Sequence, residues 1–141
     1  MVEFKFIFDF GSPKSYLVYK LVPGIEERTK VKAEYVPVLL GGIFKSINNI
    51  SPIESFKAVP SKGAYDDLDT KRFVKKHDLD FNFNSNFPIN TLNLMRGAIY
   101  AQEKGFFEKY VDVIFRSVWV DDKKMDELDV IQSVLNENQL P

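Results

Sequence analysis

Between Phe4 and Val38 the apolar pattern changes period twice, and few folds accommodate that change. Phe4, Phe6, Phe8 and Phe10 alternate along one face of an extended segment. Ile7 on the opposite face makes the second half of the run apolar on both sides, which predicts a buried strand. After Ser12 and Pro13 the segment SYLVYKLVPGIEERTK is helical in composition. Pro23-Gly24 is expected to kink it or to end its first part. Val31 to Val38, VKAEYVPV, then returns to alternation and predicts a second strand. Strand, helix and strand within about forty residues predict a right-handed βαβ unit with parallel strands.

Helical periods follow from Leu39 onward, so the chain divides into an N-terminal βαβ part, 1–40, and a helical domain, 41–141. A short helix is expected over Gly41–Ser46, a loop at Asn48-Asn49-Ile50-Ser51-Pro52, and a charged helix over Gly63–His77 with Tyr65, Leu68 and Phe73 inward. Residues 79–90, LDFNFNSNFPIN, are irregular. Leu94, Met95, Ala98, Ile99 and Gln102 share helical spacing, as do Phe107, Tyr110, Val111, Ile114, Phe115 and Val118, and Gly105 separates the two helices. Such neighbours are expected to pack as a pair. A turn at Asp121-Asp122-Lys123-Lys124 leads to a last helix with Asp126 or Asp129 near its start and Leu128, Ile131, Val134 and Leu135 on one face.

Composition narrows the chemistry. At 141 residues and 45% hydrophobic content the chain can bury a core of its own. Nineteen Lys and Arg balance twenty Asp and Glu without a basic stripe, so nucleic acid is not an expected partner. No apolar run reaches the length of a membrane span, and MVEFKFIFDF lacks the features of a signal peptide, which makes the cytoplasm the expected location. There is no cysteine, so the chain's own thiol chemistry and disulfides are excluded. The single histidine, His77, lies in a lysine-rich segment and reads as solvated. Asp66, Asp67 and Asp69, and Asp121, Asp122 and Asp126, read as solvated helix faces and caps, and no structural metal is expected.

Ser12, followed by Pro13, is a favoured helix N-cap. Its plain role is to start that helix. The sharper one is to offer a hydroxyl, beside the exposed N–H groups of a helix end, to an anion.

The ordered segments FDFGSPKSY, PVLLGGIFKSINN, VPSKGAY, FPINTLNLMRGAIYAQEKG and RSVWV resemble those of the 2-hydroxychromene-2-carboxylate isomerases and the related kappa-class glutathione transferases. The resemblance covers essentially the whole chain. It implies an α/β fold of the DsbA type, a thioredoxin-like βαβ unit followed by an inserted all-helical domain. Where DsbA-like oxidoreductases carry Cys-x-x-Cys, this chain has Ser12-Pro13-Lys14-Ser15, which suits a site receiving the thiolate of glutathione.

On the resemblance, Ser12 is the catalytic serine that hydrogen-bonds the glutathione sulfur, and Asn49 and Lys62 are further glutathione contacts. Lys45, Asn90 and Trp119 fall in segments that border the substrate; read from residue type alone they are a surface lysine, a loop cap and a core aromatic. Lys14 departs from the family, which usually has an aromatic residue at that position. The implied function is glutathione-dependent isomerisation of a small aromatic or conjugated carbonyl compound in aromatic degradation, in a homodimer. A kappa-like transferase and a non-catalytic glutathione-binding module are the alternatives. The family continues past the point matching Pro141 with a C-terminal ββα part that this sequence does not contain. The chain is therefore expected to be a fragment, a naturally short gene product, or a partner completed by another chain; if complete, its first strand is expected to expose a pairing edge and to self-associate.

Overall fold

The computed structural model describes residues 3–141. Its strands, β1 (Phe4–Phe8) and β2 (Ala33–Pro37), pair in parallel with Phe6 opposite Tyr35. The helical segment between them is two helices, α1 (Pro13–Tyr19) and α2 (Val22–Thr29). The break falls at Lys20-Leu21, ahead of Pro23, because Pro23 occupies the first turn of α2, where its fixed φ and missing N–H cost nothing. The Glu26 carboxylate on α2 then accepts from the Ala33 N–H and from Lys32 Nζ, both at 2.8 Å, which ties the helix to the start of β2. Those hydrogen bonds, Lys32 foremost, hold Glu26 below the usual carboxylate range.

Seven-residue α3 (Leu40–Ser46), short α4 (Pro52–Phe56) and α5 (Lys62–His77) follow. They give way to the irregular stretch 78–91, then α6 (Leu92–Lys104), α7 (Phe107–Trp119) and α8 (Leu128–Glu137). The compact units are drawn differently from a division at residue 40. One comprises the residues up to Val38 together with Phe81–Pro141, the other Leu39–Asp80. The physical reason is the phenylalanine face of β1. Phe8 and Phe10 are buried, and α7 covers them with Phe115, whose ring lies 5.7 Å from Phe8 and 4.8 Å from Phe10. The Phe10–Phe115 pair is edge-to-face, an arrangement that adds about 0.5–1.5 kcal/mol beyond the area it buries.

Four inward assignments made from periodicity change, on β1, α5 and α8. Ile7 is 59% exposed, so among the described residues β1 is covered on its phenylalanine face alone. On α5, Tyr65 and Leu68 are exposed while Thr70 is buried. Thr70 donates its hydroxyl to the Asp66 carbonyl at 2.8 Å, so a polar side chain can take an inward position that hydropathy assigns to a leucine. Leu128, at the first position of α8, is also exposed, and the inward residues there are Ile131 and Val134, with Met125 buried just ahead of the helix.

The helix pair around Gly105 forms as expected. Gly105 ends α6 at φ +81°, a conformation that disfavours any side chain. Across the pair, the Tyr110 hydroxyl donates to the Leu94 carbonyl at 3.0 Å, and it reaches that carbonyl by passing over Gly97. A Cβ at Gly97 would overlap the Tyr110 hydroxyl and lie 2.6 Å from Tyr110 Cζ. Gly97→Ala therefore inverts the usual helix preference. The ~1 kcal/mol that alanine gains in a helix is outweighed by overpacking of about 1–3 kcal/mol and by displacement of the tyrosine. The expected result is a lower urea midpoint for Gly97→Ala; a raised midpoint would mean that the two helices do not approach this closely.

Candidate functional site

The site is built around the turn from β1 into α1. Ser12 has extended backbone (φ −99°, ψ 114°) and caps α1, its Oγ accepting from the Ser15 N–H at 3.1 Å. A hydroxyl that accepts through a lone pair still has its proton to donate, so the cap and a contact to an anionic ligand are compatible. Relative magnitudes matter here. α1 has seven residues, and even a longer helix offers an anion only about 0.3–1 kcal/mol through its dipole, whereas a hydrogen bond to a charged group is worth ~1.5–3 kcal/mol. The serine hydroxyl is the stronger element of this turn.

The backbone of the turn is bonded residue by residue. The Ser12 N–H donates to the Asp9 carbonyl at 3.0 Å, and the Gly11 N–H donates to Asp9 Oδ1 at 2.8 Å. The Phe10 N–H points to Met95 Sδ at 3.5 Å, and the Phe10 carbonyl accepts from Trp119 Nε1 at 2.8 Å. Asp9 is 3% exposed, and its Oδ1 also accepts from the hydroxyl of Thr91, itself 5% exposed, at 2.7 Å. Asp9 and Thr91 escaped the reading of the sequence. The available signal was a carboxylate set inside the apolar run FIFDF, since such a group is seldom buried without a partner.

In the unit that holds Ser12, Asn90 is exposed and its Oδ1 accepts from the Leu92 N–H at 3.1 Å, a cap for the start of α6. Trp119 is fully buried. Its ring packs against Phe81, Phe83 and Phe87 with centroids 5.8–6.0 Å apart, and its Nε1 ties this cluster to the Phe10 carbonyl of the turn. Asn84 anchors the same irregular stretch, its Nδ2 donating to the carbonyls of Val118 and Lys123, each at 2.9 Å.

Lys45, Asn49 and Lys62 belong to the unit Leu39–Asp80 and are all exposed. Lys45 is in the last turn of α3. Asn49 follows Asn48, whose φ is +52°; its N–H donates to the Phe44 carbonyl at 2.8 Å and its Oδ1 accepts from the Ile50 N–H at 2.8 Å. Lys62 opens α5 with its ammonium 5.1 Å from the Phe56 ring centroid.

Tyr19, Tyr35 and Tyr110, near the phenylalanine core, are held in the protonated phenol form. Burial, aided by the Glu26 and Glu108 carboxylates, pushes Tyr35 up to about 12. Burial likewise raises Tyr110, and burial together with the neighbouring Asp112 carboxylate raises Tyr19. Among the described residues no helix is long and apolar enough to cross a membrane.

Known proteins resemble this chain in sequence and in fold. A 2-hydroxychromene-2-carboxylate isomerase of Sphingobium xenophagum is 28% identical over 126 residues, covering 87% of this chain and 63% of the relative. Isomerases of the same name from Pseudomonas putida and Pseudomonas sp. (strain C18) are 26% and 27% identical, covering 81% and 82% of this chain. The chain spans 53–63% of the length of these relatives. A solved structure of a 2-hydroxychromene-2-carboxylate isomerase superimposes with a TM-score of 0.77 at 23% identity over 97% of this chain and 66% of that one, which is a likeness of fold. The DsbA-like thioredoxin domain matches residues 3–140, and with its parallel βαβ start and its helices the chain belongs to that family.

Proposed function

We propose that this chain acts as a glutathione-dependent isomerase of the 2-hydroxychromene-2-carboxylate type. The observation that carries the reading is Ser12 itself. A hydroxyl caps the helix that follows β1, in a chain without cysteine whose named relatives are isomerases. A serine there cannot exchange disulfides, but it can donate to a thiolate supplied by a small thiol.

Glutathione held there would supply a thiolate able to add reversibly to a conjugated carbonyl substrate and so to allow rotation about its double bond, with no oxidant or reductant consumed. Ser12 would hold the sulfur by donating its hydroxyl proton and would favour its charged form. Asn49 and Lys62 are proposed as further glutathione contacts and Lys45, Asn90 and Trp119 as substrate neighbours, residue by residue; the homodimer and the role in aromatic degradation belong to the same proposal.

Calorimetric titration of the 141-residue chain with glutathione tests the reading, followed by a spectrophotometric assay of 2-hydroxychromene-2-carboxylate with and without the thiol. Saturable binding at millimolar glutathione or below, with isomerisation that depends on it, is the expected result. Absence of binding would remove the glutathione role from this chain and favour a non-catalytic module.

A further inference from the structure

We propose that Asp9 and Thr91 are positioning residues for Ser12, a role that rests on the glutathione reading for its catalytic meaning. Thr91 stands at the N-cap of α6, a position where threonine is favoured because its oxygen can accept a backbone N–H from its own helix. It does not do so. Its side chain makes no capping bond, and the hydroxyl donates instead to Asp9 Oδ1, 82 residues earlier in the chain, at 2.7 Å. Asn90 bonds the Leu92 N–H with its own side chain, which serves the helix start that Thr91 leaves unserved.

The Asp9 carboxylate joins this long-range contact to the turn. The same Oδ1 that accepts from Thr91 accepts from the Gly11 N–H at 2.8 Å, and the Asp9 carbonyl accepts from the Ser12 N–H at 3.0 Å. Thr91 also packs directly on the turn, since a Cβ at Gly11 would lie 3.0 Å from Thr91 Cγ2. Ser12 follows Gly11 directly and its own N–H is held by the Asp9 carbonyl, so a shift of the turn at Gly11 is passed to the residue that carries the hydroxyl. A displacement of about 1 Å is enough to degrade a positioned contact. A buried carboxylate that needs partners is thus placed where its partners define the turn.

The test compares Thr91→Val, which keeps the shape and removes the donor, with Thr91→Ser, which keeps the donor. With glutathione bound, Thr91→Val is expected to raise the thiol pKa by roughly one unit, a tenfold loss of thiolate at a given pH, with Thr91→Ser close to wild type. Affinity for S-methylglutathione, which has no thiolate, should change less than about twofold. Gly11→Ala crowds the same contact from the other side and is expected to act like Thr91→Val, so a failure of either variant to fold leaves the decision with the other. An unchanged thiol pKa in the folded variant would overturn the proposal. Amide exchange separates this from failure of the glutathione reading. If the wild type binds no glutathione, that reading fails, and the positioning role is decided by the Gly11 and Ser12 amides alone. Exchange there roughly tenfold faster in Thr91→Val than in Thr91→Ser, with α7 unchanged, supports it; equal exchange overturns it.

Discussion

Ser12→Ala is expected to raise the pKa of bound glutathione by roughly one to two units while leaving the fold nearly intact. The two consequences fall on different states. Removing the oxygen that accepts from the Ser15 N–H at 3.1 Å removes a cap worth ~1 kcal/mol of stability. Removing a donor to a charged sulfur costs ~1.5–3 kcal/mol in the thiolate form alone, and each pKa unit corresponds to about 1.4 kcal/mol. The measurement is thiolate absorbance in the ultraviolet against pH at saturating glutathione, with Ser12→Thr as the variant that keeps the hydroxyl. Equal pKa values for wild type and Ser12→Ala, with glutathione bound in both, would show that Ser12 is a helix cap and nothing more.

The largest effect on stability is expected from Trp119→Ala. Trp119 has no exposed surface, packs on three phenylalanines, and is the residue that bonds the Phe10 carbonyl. Truncating a buried tryptophan costs about 3–5 kcal/mol, and a carbonyl left without a partner adds ~1–3 kcal/mol. A loss of that size lowers the melting temperature by roughly 10–30 °C in a domain of this size. Trp119→Phe retains most of the ring and is expected to show mainly the smaller cost. Calorimetric melting of both variants, with and without glutathione, separates a core role from a substrate-bordering one. An unchanged melting temperature in Trp119→Ala together with lost turnover would place Trp119 at the substrate.

Much of the site was legible because its signals are local. The Ser-Pro pair names a helix start whatever surrounds it, and the structure puts the cap on Ser12. Trp119 and Asn90 also behave as their residue types suggest, a core aromatic and a loop cap. Asp9 and Thr91 were not legible because their meaning is a contact across 82 residues. Each taken alone is ordinary, an acid near a strand end and a threonine before a helix.

By itself the sequence determined most of the elements and their order, the short helix α4 at Pro52–Phe56, expected to begin as a loop, being the exception. Alternating phenylalanines, a proline compatible with a first helical turn and a glycine at a helix end act through backbone geometry within a few residues. The absence of cysteine determined that these 141 residues carry no thiol of their own. Only the tertiary structure decided which face of each element is buried. It left Ile7, Tyr65 and Leu128 exposed, buried Thr70, Asn84 and Asp9, and grouped the helices after Phe81 with the strands. The physical reason is that burial depends on what another segment brings opposite. A polar group becomes a core residue when a distant hydroxyl, amide or carbonyl satisfies it, and hydropathy along the chain carries no record of that partner.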